Sequence, residues 1–358
     1  MAETTVTIRE VAERAGVSVA TVSRVVSGKG HVREETRARV KAAVQELGYR
    51  PSRMARSFRA QRSSFVGLLI SDIENPFHTS LARAIEDLLY ARGYSLLLCN
   101  TDEVLDRERT YLQFLADERA AGVICAPASE SETSFHAVLA AGIPVVCVDR
   151  VARRTPVDSV RVNNVAAMRA LTQHLLERGH QRIGFVGLDT TITSGRERFE
   201  AYLQTLREAG IDPDMSLVRL GKGVEAFGRQ ATFSLFEVSQ PPTALITANN
   251  MLTLGALKAL QQRGMRVPDD VALAAFDATP WLTLLTPRFV VAAQPIREMA
   301  ETAVLMLMER IEGSAQPPRE VLLAATLITD AVPHLTGTVR PLAYADNASN
   351  FDEKGGGA

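Results

Sequence analysis

Polar side chains recur just past the apolar runs of this sequence, where strands would end. Asp72, Asn75 and Phe77 follow FVGLLI (65–70). Asp149 and Arg150 follow VVCV (145–148). Asn249 follows ALITA (244–248), and Asp277 follows VALAAF (271–276). Arg196 and Arg198 stand in SGRERFEAY, on the first turn of a helical pattern. Carboxylates accept, amides do both, and a guanidinium donates in a rigid fork. Such a set suits the vicinal hydroxyls of a sugar or a similar small ligand. Phe77 and Trp281 offer rings that can stack on an apolar ligand face. His31, His78, His136, His174, His180 and His334 are scattered and make no metal-ligand spacing. There is no Gly-x-Gly-x-x-Gly after a strand, no P-loop and no Gly-x-Ser-x-Gly. The pattern predicts a binding site with no cofactor or metal, and no enzyme.

Strands and helices must alternate to hold these residues in place. Strand-like runs lie at 65–70, 95–99, 122–125 and 145–148, with helical patterns at 80–92, 107–117 and 133–140 between them. The rhythm repeats: helices at 164–178, 195–209, 226–237, 251–263 and 296–311, strands at 182–186, 244–247 and 271–276. A weak strand is read near Leu217 and one more at 321–327. Alternation of this kind predicts parallel sheets with helices on both faces. In such open sheets, ligands sit beyond the carboxyl ends of the strands.

The first 62 residues are of a different kind. Thr7 and Glu10 can form a capping box for a helix whose apolar residues are Ile8, Val11, Ala12 and Ala15. Gly16 can end it in a left-handed conformation. Ser18 can cap a second helix at 19–26, and a third pattern spans 34–47. Two short helices joined by a tight turn, closed by a third, make a helix-turn-helix. After Pro51, Ser52 can cap a short helix at 53–58. Residues 1–62 hold 13 Lys/Arg and 6 Asp/Glu, a formal +7, against −8 for the remainder of a chain of net −1. A basic head on an acidic body predicts a polyanion at one end only.

The stretches REVAERAGVSVATVSRVVSG, VREETRARVKAAVQELGYRPS and MARSFR resemble the N-terminal domain of the lactose/galactose repressor family of bacterial transcription regulators. The similarity continues through most of the remaining chain. It implies an all-α helix-turn-helix head (6–50), a hinge helix (51–62) and a two-lobed, periplasmic-binding-protein-like effector domain (63–340). The lobes would be 65–162 with 293–324, and 163–292 with 325–340. By the same resemblance Val19, Ala20 and Arg24 take base-reading positions in the major groove. Arg24 has the capacity for a bidentate bond to guanine. Thr21, Ser23 and the amides near Ser18 suit phosphates, which position without specifying. Arg53 and Arg56 add backbone electrostatics, and Phe58 stands at the minor-groove wedge position where Leu is usual. Arg198, Asp277 and Asn249 match effector-contacting positions. The chain departs from the family pattern at Asp277-Ala278, at Asn249-Asn250, near Gly223 where an aromatic is common, and in LITDAVPH, where Asp330 stands near a position at which Arg is usual.

The resemblance therefore implies a dimeric repressor of a palindromic operator, switched by a small effector, most simply a sugar. Alternatives are a corepressor-dependent regulator sensing a nucleobase or other metabolite and, in a different class, an enzyme acting on a cleft-bound sugar. No 18-residue apolar run or signal-peptide core is present, so a cytoplasmic protein is expected. Cys99, Cys125 and Cys147 sit in apolar runs and read as buried free thiols. Residues 341–358, polar and ending in three glycines, read as a disordered tail.

Overall fold

The structure is a computed structural model that describes residues 6–27, 32–49, 63–279, 281–282 and 289–329, with the backbone of 340–341. The chain falls into two compact units that part between Ser63 and Ser64. The hinge helix expected at 53–58 lies outside the described residues, as do Asp330 and the tail expected at 341–358 except for the backbone of Pro341, which is in a strand and not disordered.

The first unit is built on local signals. Helix α1 (Ile8–Ala15) opens with the capping box: the Thr7 amide donates to the Glu10 carboxylate at 2.6 Å, and the Glu10 amide donates back to Thr7 Oγ1. It ends at Gly16, whose φ of 62° is a left-handed conformation that costs glycine little. Ser18 Oγ accepts the Thr21 amide and caps α2 (Val19–Ser27). Helix α3 (Glu34–Glu46) crosses both, and Arg39 donates to the carbonyl of Ala15 at 2.7 Å, fixing the turn. Val11, Ala12, Ala15, Val22, Val40, Ala43 and Tyr49 form the small core.

The second unit holds two sheets. One comprises β1 (Phe65–Ile70), β2 (Ser95–Asn100), β3 (Gly122–Cys125), β4 (Val145–Val148), β5 (Asp158–Val162) and β11 (Glu320–Leu323), all parallel, in the order β11-β5-β4-β3-β1-β2. Helices α4 (Pro76–Tyr90) and α11 (Ile296–Ile311) pack on one face, α5 (Leu105–Asp117) and α6 (His136–Ala140) on the other. On α4, Leu81, Ile85 and Leu89 recur at helical spacing and are wholly buried. Each contributes about 1.5–3 kcal/mol by leaving water, and a charge at Ile85 would break the layer.

The other sheet comprises β6 (Ile183–Leu188), β7 (Val218–Gly221), β8 (Ala244–Thr247), β9 (Ala272–Phe276), β10 (Val290–Ala293), β12 (Thr326–Ile328) and β13 (Arg340–Pro341), in the order β13-β12-β10-β9-β8-β6-β7. Helices α7 (Asn164–Glu177), α8 (Thr193–Glu208), α9 (Glu225–Leu235) and α10 (Asn250–Gln262) belong to this lobe. The chain passes between sheets three times: after β5, after β10 and between β11 and β12.

Four local readings are corrected. The run at 321–327 is not one strand: β11 and β12 belong to different sheets, and Ala324-Ala325 carries the crossing. Strands β5 and β10 were not read from the sequence at all. Helix α6 starts at His136 and not at 133, because Thr133 donates to buried Glu108 at 2.7 Å and holds the preceding turn. The weak strand begins only at Val218; Met215–Leu217 is a 3-10 turn capped by Asp214. Among the described residues, parallel pairing is broken only where β12 runs antiparallel to β10 and β13 to β12.

Candidate functional site

The carboxyl ends of both sets of strands open onto one cleft of about 510 Å³. From the first lobe come Ser71, Asp72, Ile73, Glu74, Asn75, Phe77 and His78 after β1, Asn100, Asp102 and Glu103 after β2, and Asp149 and Arg150 after β4. From the second come Leu188, Ser194 and Arg198, Lys222 to Val224, Asn249, Asp277 and Gln294. Strand direction explains this: parallel strands end on the same edge, so every loop that leaves them faces the same way.

Arg198 is the most enclosed cation, 2 % exposed. It reaches the cleft because it stands on the second turn of α8, which starts beside the exit of β6. Its Nε donates to Asn164 at 2.8 Å and its Nη1 to the Ala248 carbonyl at 2.6 Å, while its guanidinium lies 3.5 Å over the Phe276 ring. Burial lowers its pKa, against the pull of Asp277 and Asp149. Asp277 accepts from Gln294 Nε2 at 2.6 Å. Burial raises its pKa, opposed by Arg198 and Gln294.

Asp149 and Asp277 end their strands in the left-handed region, with φ of 65° and 73°. Aspartate tolerates that conformation better than most residues, and it turns each carboxylate out of the strand direction. Arg150 donates to Glu103 at 2.6 Å and to the Pro127 carbonyl, with Nε 3.4 Å from Asp149. Burial works against its charge, but Glu103 and Asp149 more than offset this and raise its pKa.

The amides are largely committed. Asn75 caps α4 through the Phe77 amide and also accepts Asn250 Nδ2 at 2.8 Å, a bond between the lobes. Asn249 caps α10 through Leu252 and donates to the Gly223 carbonyl at 3.0 Å. A Cβ at Gly223 would come 2.6 Å from Leu188 and 2.7 Å from Asn249. That contact is why a side chain does not fit there in this packing. His78 faces the Asp72 carbonyl with Nδ1 and Ser71 Oγ with Nε2, which fixes the proton on Nδ1. Burial lowers its pKa, so the ring is neutral near pH 7.

The structure does not bring Arg196 or Trp281 into the cleft lining. Arg196 pairs with Glu130 of the other lobe at 3.0 Å, and Trp281 packs against the second lobe's core. Sequence reading passed over Asn100, Asp102, Glu103, Lys222 and Gln294. Each also follows or ends a strand: the run at 95–99 already points to Asn100, Asp102 and Glu103, whereas Lys222 and Gln294 are found once β7 and β10 are placed.

In the head, Ser18, Val19, Ala20 and Arg24 are exposed on one side of α2 while Val22 is fully buried. Thr21 and Ser23 are half-buried beside them. Ser18 spends its hydroxyl on the cap, which leaves an exposed helix N-terminus suited to an anion. Arg53, Arg56 and Phe58 lie outside the described residues.

The profile of bacterial regulatory proteins of the lacI family matches residues 7–52, and that of a periplasmic binding protein-like domain matches residues 172–329. The ribose operon repressor of Halalkalibacterium halodurans is 35 % identical over 306 residues, 86 % of this chain and 90 % of that protein. The chain belongs to the lacI family of bacterial regulatory proteins. Another relative, the HTH-type transcriptional repressor PurR of Serratia proteamaculans, is 33 % identical over 90 % of the chain and 95 % of its own length. Among solved structures, a lac repressor dimer bound to operator and the anti-inducer ONPF superposes with a TM-score of 0.81. It is 27 % identical and covers 92 % of this chain and 99 % of that one. A complex of the transcriptional regulator CelR with cellobiose superposes at 0.69, with 28 % identity and coverage of 91 % and 99 %. LacI-family proteins are transcriptional regulators and not enzymes. They act on DNA as homodimers and respond to a small effector. This chain is accordingly a sequence-specific DNA-binding transcriptional regulator under effector control. Among the described residues, no helix is long and apolar enough to cross a membrane, and no His/Cys/Asp/Glu group is arranged to hold a metal.

Proposed function

We propose that this chain is a repressor of a palindromic operator whose grip is switched by a sugar bound in the interlobe cleft. The observation that carries the ligand class is the meeting of Asp149, Arg198 and Asp277 in one cleft. Two acceptors and a fork donor match the alternating donor and acceptor faces of adjacent hydroxyls. The relation to a ribose operon repressor and the likeness to a cellobiose complex support the same reading. In the DNA-bound dimer, Arg24 reads a base edge from α2, Val19 and Ala20 offer apolar contacts, and Thr21 and Ser23 meet phosphates. Residues 51–62 then connect head to body, with Arg53 and Arg56 along the backbone and Phe58 as the wedge.

A shift in lobe closure changes operator affinity through that connection. Coupling of about 1–3 kcal/mol alters affinity roughly 5–150-fold. A thermal-shift screen of sugars and nucleobases on the full chain tests the ligand class. A ligand at about a hundred times its Kd adds about 2.7 kcal/mol of stability. A sugar should raise Tm saturably in the wild type and not in Asp277→Asn. A response confined to nucleobases would reject the sugar reading.

A further inference from the structure

The cleft carries a charge imbalance that its neighbours explain. Six carboxylate side chains line it against three cations, Arg150, Arg198 and Lys222. Lys222 is exposed at the rim. Arg198 has Nε and Nη1 bonded to Asn164 and Ala248, and its face is covered by Phe276. Arg150 donates through Nη2 to Glu103 and through Nη1 to the Pro127 carbonyl, while its Nε makes no hydrogen bond and lies 3.4 Å from the Asp149 carboxylate. Glu103 reaches it from a turn in which Asp102 and Glu103 both have positive φ, 51° and 57°. Two successive non-glycine residues in that region cost energy, and the packing holds them there.

An anion entering this cleft meets carboxylates, and the buried guanidinium best placed to receive it is already neutralised. A hydroxyl-rich neutral molecule meets acceptors for its hydroxyl protons and loses little on desolvation. We propose that Glu103 sets the charge of the effector: by holding Arg150 it closes the cleft to anionic compounds and reserves it for an uncharged, hydroxyl-rich one. The inference rests on the sugar reading above and narrows it to unphosphorylated, uncarboxylated sugars.

Calorimetry on full-length wild type, Glu103→Gln and the double variant Glu103→Gln/Arg150→Met tests it. The probes are D-ribose, D-glucose and D-xylose, each beside its terminal phosphate ester. Wild type should prefer a neutral sugar to its ester. Glu103→Gln should shrink that preference about tenfold or more, because Arg150 then loses the carboxylate it hydrogen-bonds and keeps only the longer contact to Asp149, and the double variant should restore it. An ester that binds wild type as tightly as its parent sugar, or a preference unchanged by Glu103→Gln, overturns the inference. If no sugar binds, the sugar reading fails by itself, and inorganic sulfate then decides the role of Glu103. Saturable sulfate binding by Glu103→Gln alone supports it. Sulfate binding common to all three proteins, or absent from all three, overturns it. The DNA-binding head is the same in each, so any difference belongs to the cleft.

Discussion

Arg198 gives two of its nitrogens to the protein before any ligand arrives. Its planar fork lets it do so while stacked on Phe276, which a lysine cannot copy. Arg198→Lys should therefore weaken effector binding by about 1.5–3 kcal/mol, the worth of hydrogen bonds to a charged group, and leave operator binding without effector intact. Calorimetry with the identified effector checks this; unchanged affinity would remove Arg198 from the site. In the head, Arg24 is exposed on α2 opposite the side that buries Val22. Arg24→Ala should cost about 1–3 kcal/mol at one base pair of the operator. Equal weakening on random duplexes would mean that Arg24 touches only phosphates. Arg198 and Arg24 were assigned by family resemblance, whereas Asp149 and Asp277 stand out physically, as charges directly after apolar strands. Glu103 was legible only as a polar residue in the turn after β2; its hold on Arg150, 47 positions on, is set by the tertiary fold.

At the scale of elements, the N-terminal end of α8 joins the lobes. Thr193 donates to Glu130 at 3.1 Å, Arg196 pairs with the same carboxylate, and Glu197 accepts Arg161 of β5 at 2.8 Å. Arg198, one residue on, enters the cleft. A ligand that moves Arg198 must therefore strain the bonds to Glu130 and Arg161. Arg196→Ala should shift the effector concentration for half-response several-fold, about 1 kcal/mol, without touching the ligand. An operator-release titration measures it, and an unmoved midpoint would show that this ion pair does not report closure. Element boundaries were readable where the signals are local. The capping box of Thr7 and Glu10 and the left-handed Gly16 are local chemistry. Strand β5 was hidden because Asp158 and Arg161 interrupt its apolar pattern while lying buried in ion pairs. The split between β11 and β12 was hidden because VLLAATLI reads as one apolar run. Only the tertiary fold assigns its halves to different sheets.

At the scale of the whole molecule, the chain must return to the first sheet after building most of the second. Asp158 secures that return. It accepts Arg310 of α11 at 2.7 and 2.9 Å and the Arg319 amide at 2.8 Å. Burial pushes its pKa up, but the hydrogen bonds from Arg310 and Arg319 outweigh this and hold it below the ordinary value. A depressed carboxylate stabilises fully above its unfolded pKa, about 3.9, and loses that stabilisation as pH falls through the folded value. Asp158→Asn should cost about 3–5 kcal/mol near neutral pH, because Arg310 stays largely buried without its counter-charge. It should also remove part of the acid-induced loss of Tm seen in the wild type. A parallel Tm–pH curve for the two proteins would contradict this role.

The chain carries both a DNA-reading head and a ligand cleft, and one measurement bears on both. Fluorescence anisotropy of the full-length protein should be run on a palindromic site selected from random duplexes, beside a scrambled duplex, with and without the cleft ligand. The predicted result is a preference for the selected site of about a thousandfold or more at physiological salt. The ligand should shift that affinity roughly 5–150-fold, and Asp277→Asn should abolish the shift. Equal binding to the scrambled duplex, or a ligand effect that persists in Asp277→Asn, would contradict it.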